Sequence, residues 1–198
     1  MSTTTAPPGK PTVVLVHGAF AESASWDGVI AGLLGDGYPA VAVANPLRGV
    51  PHDADHLRAL LTGPVVLAGR FPGSSLGETL AAVTLPGGDT DLYIQQNRYH
   101  HQFAAHSTAE RAAVMAVTQR PITEAALNEP SGEPAWRSLP SWFLFGSEDL
   151  NIPVAAHRFM AERAGSRRTV EVPGGSHTVA IPEAALLVDL IRAAAGAS

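Results

Sequence analysis

Three short apolar runs of the sequence each end in residues that can do chemistry. The first ends in segment 16–20, Val-His-Gly-Ala-Phe, the second leads into 145–153, Phe-Gly-Ser-Glu-Asp-Leu-Asn-Ile-Pro, and the third leads into 172–177, Val-Pro-Gly-Gly-Ser-His. These segments contain histidine, aspartate and serine, the residue types of acid–base and nucleophilic catalysis. If the runs are parallel strands, the segments lie at their carboxyl ends, where an open α/β sheet builds its ligand site.

The apolar runs themselves predict such a sheet. Five runs stand out, and the first four are almost continuously apolar, as in strands that are covered on both faces: residues 12–16, 40–44, 64–68, 142–145 and 169–172. Segments of helical length separate several of them: 26–34, 53–61, 154–164 and 183–194. Alternating strands and helices are typical of a doubly wound α/β sheet with right-handed crossovers.

Residues 71–138, called the lid below, break this alternation. Proline and glycine are frequent in the first twenty residues, where we expect a loop with at most a turn or two of helix near 78–83. The remainder predicts helices at 92–105, 108–119 and 122–127. The expectation is therefore a loop followed by a helical lid inserted into the sheet domain.

Composition limits the classes of function. The 198 residues are 45% hydrophobic and 16% charged, which predicts a single domain over 12–198 behind a disordered tail of residues 1–11. The net charge of −5 and the lack of a basic run argue against nucleic acid as a partner. No apolar stretch reaches the roughly 18–20 residues that span a bilayer, and residues 1–10 contain no secretory signal. We expect a cytoplasmic protein with no membrane partner. The sequence has no cysteine, which excludes a thiol nucleophile and thiolate metal sites.

Two motifs in this order resemble a known superfamily. Gly146-x-x-Asp149-x-x-Ile152-Pro153 follows the fourth run, and Gly174-x-x-His177 follows the last. From Thr12 to the terminal helix, the chain resembles the α/β-hydrolase superfamily, especially its small cofactor-free esterases of the plant methylesterase and hydroxynitrile-lyase type. The resemblance implies an α/β-hydrolase fold, a mainly parallel sheet flanked by helices with a lid. It also implies hydrolysis of a small apolar ester by a Ser-His-Asp-like site that needs neither cofactor nor metal.

The resemblance also implies a role for each matching residue. Asp149 corresponds to the acid that orients the imidazole of a catalytic triad, and His177 to its general base. The backbone N–H of Ala19 or Phe20, in the loop after the first strand, corresponds to an oxyanion donor. The alternatives are that Asp149 only caps the following helix and that His177 is only a solvated loop residue.

The nucleophile departs from the family pattern. The family places Gly-x-Ser-x-Gly directly after the third strand, on a tight turn called the nucleophile elbow, whereas this chain has Gly69-Arg70-Phe71-Pro72-Gly73. Phe71 cannot attack a carbonyl, and Pro72 has no N–H to stabilise an oxyanion. We therefore expect that the elbow, its helix and one strand have been lost. Residues 73–77, Gly-Ser-Ser-Leu-Gly, match the motif a few residues later. Ser75 is accordingly the candidate nucleophile, and capping of the next turn by Ser74 and Ser75 is the favoured alternative.

Two other functions remain open at this stage. Without a nucleophile, the protein could be a catalytically impaired relative that binds a small ligand, or an inactive deletion product. His52 and His56 have the i, i+4 spacing of a zinc site, but no third ligand is evident and a surface pair is favoured. Loss of a strand would weaken the sheet and favour a homodimer that covers the opening.

Overall fold

The computed structural model describes residues 9–58, 73–130 and 135–196 of the chain. The predicted strand at 64–68 lies outside the described residues, as do Phe71 and Pro72 and most of the predicted tail. The expectations of a lost elbow and a weakened sheet both depend on that part of the chain and stay predictions.

The described residues form seven strands and seven α-helices. The strands are β1 (Val13–Val16), β2 (Ala40–Val43), β3 (Leu80–Thr84), β4 (Thr90–Ile94), β5 (Ile122–Thr123), β6 (Trp142–Gly146) and β7 (Arg168–Val172). The helices are α1 (Asp27–Gly35), α2 (Val50–Arg58), α3 (Gln96–Phe103), α4 (Ala109–Thr118), α5 (Glu124–Asn128), α6 (Val154–Arg163) and α7 (Ala184–Ala195). Short 3-10 turns occur at Ser23–Trp26, Leu76–Thr79 and Ala135–Arg137. Among these helices, none combines the length and the apolar character that a membrane crossing requires.

Two pairs of parallel strands confirm the predicted α/β architecture. β1 pairs with β2 from Val13–Ala40 to Val16–Val43, and β6 pairs with β7 from Trp142–Arg168 to Gly146–Val172. Helices α1 and α7 pack together beside the first pair, around a buried cluster of Leu15, Val29, Leu33 and Val188. A Cβ atom at Gly32 would lie 2.9 Å from a Val188 methyl group, so glycine allows this close helix contact.

The lid differs from the helical prediction, because it contains an antiparallel sheet of three strands in the order β3-β4-β5. The segment 78–83 was expected to contain at most a turn or two of helix, but residues 80–83 belong to β3. The helix predicted at 92–105 begins only at Gln96. The turn between β3 and β4 explains the difference. Gly87 and Gly88 have φ angles of 122° and 99°, which reverse the chain at little steric cost and let the two strands pair.

The last predicted lid helix is also shorter than expected. Ile122 and Thr123 form β5 against β4, and α5 starts only at Glu124. The Thr123 hydroxyl accepts a hydrogen bond from the Ala126 N–H at 3.2 Å, so Thr123 caps this helix and cannot belong to it.

The loops after β6 and β7 are joined by backbone hydrogen bonds. The Ser147 N–H donates to the Val172 carbonyl at 3.0 Å, and the Glu148 N–H donates to the Gly175 carbonyl at 2.9 Å. A Cβ atom at Gly146 would lie 2.0 Å from the Gly175 carbonyl oxygen. Glycine at position 146 is therefore required for the two loops to come this close.

We predict that Gly146→Ala is strongly destabilising. The added methyl group meets backbone that cannot move aside. Overpacking usually costs about 1–3 kcal/mol, and we expect the free energy of unfolding to fall by the upper end of that range or more. Urea denaturation measures the change. Gly35→Ala in α1 is the control, because a Cβ atom there has no neighbour within 4 Å. Equal stability of the two variants would show that the loops are not in close contact.

Candidate active site

Asp149 lies in the loop after β6 and accepts hydrogen bonds at both carboxylate oxygens. Its Oδ1 accepts from the N–H groups of Asn151 at 2.7 Å and Ile152 at 2.9 Å. These two bonds form a turn within the loop and do not cap α6, which begins at Val154 and has no side-chain cap hydrogen bond. The other oxygen is left free to contact side chains.

The Oδ2 atom of Asp149 contacts two imidazoles. His177 Nδ1 lies 2.8 Å from it, and His157 Nε2 lies 2.9 Å from it. Burial by itself raises the pKa of Asp149, but the hydrogen bonds from His157 and His177 outweigh burial and hold this pKa well below its usual range. The carboxylate is therefore ionised at neutral pH and can only accept, so each histidine donates an N–H to it.

The hydrogen-bond partner of His177 is buried, whereas the His177 side chain itself is partly exposed to solvent. Its side chain is 28% exposed, whereas that of Asp149 is 2% exposed. One face of the ring packs against Phe103, with ring centres 4.9 Å apart. Because Nδ1 donates its hydrogen to Asp149, the neutral form of the ring carries its lone pair on Nε2. The candidate base is therefore on a partly exposed side chain.

His157 belongs to this site, although no motif in the sequence pointed to it. The residue lies in the first turns of α6, eight positions after Asp149, and its ring stacks on Phe145 with ring centres 4.7 Å apart and planes 4° apart. The one available signal was a histidine near the start of the helix that follows the acid loop. That signal is weak, because the sequence does not show which face of α6 points back toward the loop.

The two candidate oxyanion donors differ in availability. The Phe20 N–H donates to the Arg120 carbonyl at 3.0 Å, so it is already used. The Ala19 N–H makes no hydrogen bond to any residue that the structure describes. Phe20 has a φ of 64°, an uncommon left-handed conformation, and the Tyr99 hydroxyl donates to its carbonyl at 2.7 Å. This bond and the one to Arg120 hold the loop that presents the Ala19 N–H.

Ser75 contacts the acid loop and not the base. Its hydroxyl lies 3.0 Å from Gln102 Oε1 and 3.4 Å from the Leu150 carbonyl, and both of these atoms are acceptors. Gln102 in turn donates to Asn151 Oδ1 at 2.8 Å. Within the part of the chain that the structure describes, no hydrogen bond joins Ser75 to His177. The Ser74 hydroxyl accepts from the Leu76 N–H at 3.2 Å, which is the capping contact of the alternative interpretation.

The histidine pair of α2 is not part of this site. His52 and His56 are both exposed, and the buried Asp53 between them accepts a hydrogen bond from the Arg48 N–H at 3.1 Å. Among residues 9–58, 73–130 and 135–196, no group of three or more histidine or acidic side chains could hold a metal ion. His52 and His56 are thus exposed side chains of α2, and the absence of a metal site at them stays a prediction.

Comparison with known proteins identifies the fold. By sequence, neither a protein-family model nor a curated protein matches the chain. By structure, the chain is similar to a methylesterase from Arabidopsis (15% identity, 92% of this chain and 98% of that one, TM-score 0.70). It is also similar to polyneuridine aldehyde esterase (14% identity, 93% of this chain and 98% of that one, TM-score 0.71). A third similar structure is a pyrethroid hydrolase from Sphingobium faniae (15% identity, 94% of this chain and 97% of that one, TM-score 0.67). The chain has the α/β-hydrolase fold, as its motifs predicted.

The lowered pKa of Asp149 predicts how its contribution to stability depends on pH. In the unfolded chain this carboxyl titrates near pH 3.9. Below that pH the unfolded state takes up a proton that the folded state does not, so the contribution falls as pH falls. Asp149→Asn should cost about 1–3 kcal/mol of unfolding free energy at about pH 5, because a buried donor loses its acceptor, and less at about pH 3.

Urea denaturation of both proteins at the two pH values measures this difference. The control is Asp189→Asn, which removes a carboxylate whose side chain is 60% exposed and should change stability little at either pH. A loss for Asp149→Asn that stays constant or grows toward acid pH would contradict a carboxylate held ionised by its partners.

Proposed function

We propose that this α/β-hydrolase-fold protein hydrolyses small apolar carboxylic esters, with His177 as the general base. The observation that carries the proposal is the 2.8 Å hydrogen bond from His177 Nδ1 to a buried, ionised Asp149, which leaves the lone pair on Nε2 of a partly exposed side chain. The esterases and the hydrolase among the structural neighbours add support for this reaction class.

The proposed reaction uses water as the nucleophile. His177 Nε2 removes a proton from a water molecule while the water oxygen forms a bond to the ester carbonyl carbon. The carbonyl oxygen gains the negative charge and accepts a hydrogen bond from the Ala19 N–H. When the carbonyl re-forms, the bond to the alcohol oxygen breaks, and His177 returns its proton to that oxygen. Asp149 stabilises the imidazolium throughout.

Water is preferred to Ser75 because of the hydrogen bonds that Ser75 makes. A hydroxyl has one proton to donate, and both described contacts of Ser75 Oγ are to acceptors on Gln102 and Leu150. Activation of Ser75 by His177 would require that these contacts break. We therefore assign Ser75 a structural role, which is to hold Gln102 against the acid loop.

An apolar substrate is supported by the surroundings of the base. Phe103 contacts both the His177 ring and, edge to face at 6.3 Å, the ring of Phe20. Ala19 and Leu76 are partly buried and pack against the same cluster. A substrate carbonyl between His177 and the Ala19 N–H would have these apolar side chains as neighbours, which favours short alkyl or aryl groups over charged ones.

Turnover of p-nitrophenyl acetate tests the role of His177. A positioned general base contributes about a hundredfold to ten-thousandfold to a rate, so His177→Gln should lower kcat/KM by at least about a hundredfold. His101→Gln is the matched control, because His101 is an exposed histidine on α3, and its rate should equal that of the wild type. Equal rates for His177→Gln and wild type would contradict the proposal.

The choice of nucleophile has its own test in Ser75→Ala. With water as the nucleophile, this variant should keep kcat within about tenfold of the wild type, whereas loss of a covalent nucleophile typically costs about a thousandfold or more. Ser74→Ala removes the neighbouring hydroxyl and serves as the control. A drop as large as that of His177→Gln, seen in Ser75→Ala alone, would assign the nucleophile to Ser75.

A second candidate function is binding of a small apolar ligand without turnover. The sequence observation that favours it is the presence of Phe71 and Pro72 where the family places a nucleophile and an oxyanion donor. This candidate predicts no p-nitrophenyl acetate hydrolysis above that of the His177→Gln variant.

A further inference from the structure

We propose that His157 is a positioning residue, whose Nε2–H fixes the Asp149 carboxylate in the orientation that His177 requires. The proposal deepens the proposed function and rests on it for its kinetic consequences. Its structural part concerns only the contacts of one buried carboxylate.

Four N–H donors surround the Asp149 carboxylate. A carboxylate has about four lone-pair sites, two on each oxygen. Oδ1 receives two backbone N–H groups, from Asn151 and Ile152, and Oδ2 receives two imidazole N–H groups, from His157 and His177. Every site is therefore occupied. Without His157, the Oδ2 atom would be held by the base alone, which must also move its own proton during the reaction.

His157 is itself held in a fixed position. Its side chain is 12% exposed, and its ring lies parallel to that of Phe145 at 4.7 Å. Phe145 is a buried residue of β6, the strand that leads directly to Asp149. The His157 N–H donates to the Pro153 carbonyl at 3.2 Å in the first turn of α6. The strand and the helix thus hold the imidazole from two sides, so it can act as a rigid donor.

Two substitutions at His157 separate hydrogen-bond donation from simple packing. If His157 only fills space against Phe145, an aromatic ring without a donor should preserve its function. If its N–H donor matters, an amide that reaches the carboxylate should preserve its function. His157→Phe keeps the ring and removes the N–H, whereas His157→Gln keeps an N–H donor and removes the ring. The two variants therefore have opposite expected outcomes under the two roles.

The kinetic arm uses p-nitrophenyl acetate. A base displaced from its productive geometry loses up to about a hundredfold in rate, so His157→Phe should lower kcat by about tenfold to a hundredfold and leave KM within about twofold. His157→Gln should restore kcat to within about threefold of the wild type, because a donor to the carboxylate is again present. His101→Phe, at the exposed histidine of α3, is the control for a ring introduced elsewhere.

The second arm is nuclear magnetic resonance of the His177 Nδ1 proton, which needs no activity. This proton should exchange slowly with water in the wild type and in His157→Gln, and rapidly in His157→Phe. If the protein proves to have no esterase activity, this arm alone decides the proposal, so its failure is distinct from failure of the proposed function. His157→Leu, which also lacks a donor, replaces His157→Phe if that variant does not fold.

Two results would overturn the proposal. One is that the variant without a donor retains slow exchange of the His177 proton and, if the enzyme is active, normal kcat. The other is that His157→Gln is impaired as strongly as the variant without a donor, because a retained N–H donor would then not position the carboxylate.

Discussion

A carboxylate as deeply buried as that of Asp149 can stay ionised only because N–H groups take the place of water. Two come from the backbone of its own loop and two from imidazoles on different elements, α6 and the loop after β7. The rest of the site depends on this cluster, since it decides which nitrogen of His177 carries the proton. The cluster in turn depends on the close approach of Gly146 and Gly175, which joins the loops after β6 and β7.

The lid belongs to the site as much as the parallel strands do. Phe103, at the end of α3, contacts the His177 ring, and its carbonyl accepts a hydrogen bond from the Thr178 N–H at 3.3 Å. Tyr99, one turn earlier, holds the Phe20 carbonyl. One lid helix therefore connects the loop after β1 with the loop after β7. Burial raises the pKa of Tyr99, so its hydroxyl remains a neutral donor at any pH at which the protein would work.

The sequence predicted the parts of this molecule that depend on local pattern. Continuous apolar runs marked the parallel strands, and the motifs around Asp149 and His177 indicated the fold and two residues that the structure brings together. Long-range contacts decided the rest. β3 and β4 became strands because each supplies the other's hydrogen bonds, the Phe20 N–H is used by Arg120, and the contact of His157 depends on the rotation of α6. Gly87 and Gly88 were a local signal for the turn that joins β3 and β4, whereas no spacing in the sequence encodes the contacts of the Phe20 N–H and of His157.

The protonation of His177 in the resting protein is the most direct test of the account. Nitrogen-15 chemical shifts of the labelled imidazole in its neutral form report which ring nitrogen carries the hydrogen. A hydrogen on Nδ1 and a bare Nε2 are expected, because Asp149 accepts from Nδ1. A hydrogen on Nε2, or the averaged shifts of an imidazole that exchanges freely between its two neutral forms, would contradict the assignment of this histidine as an aligned base.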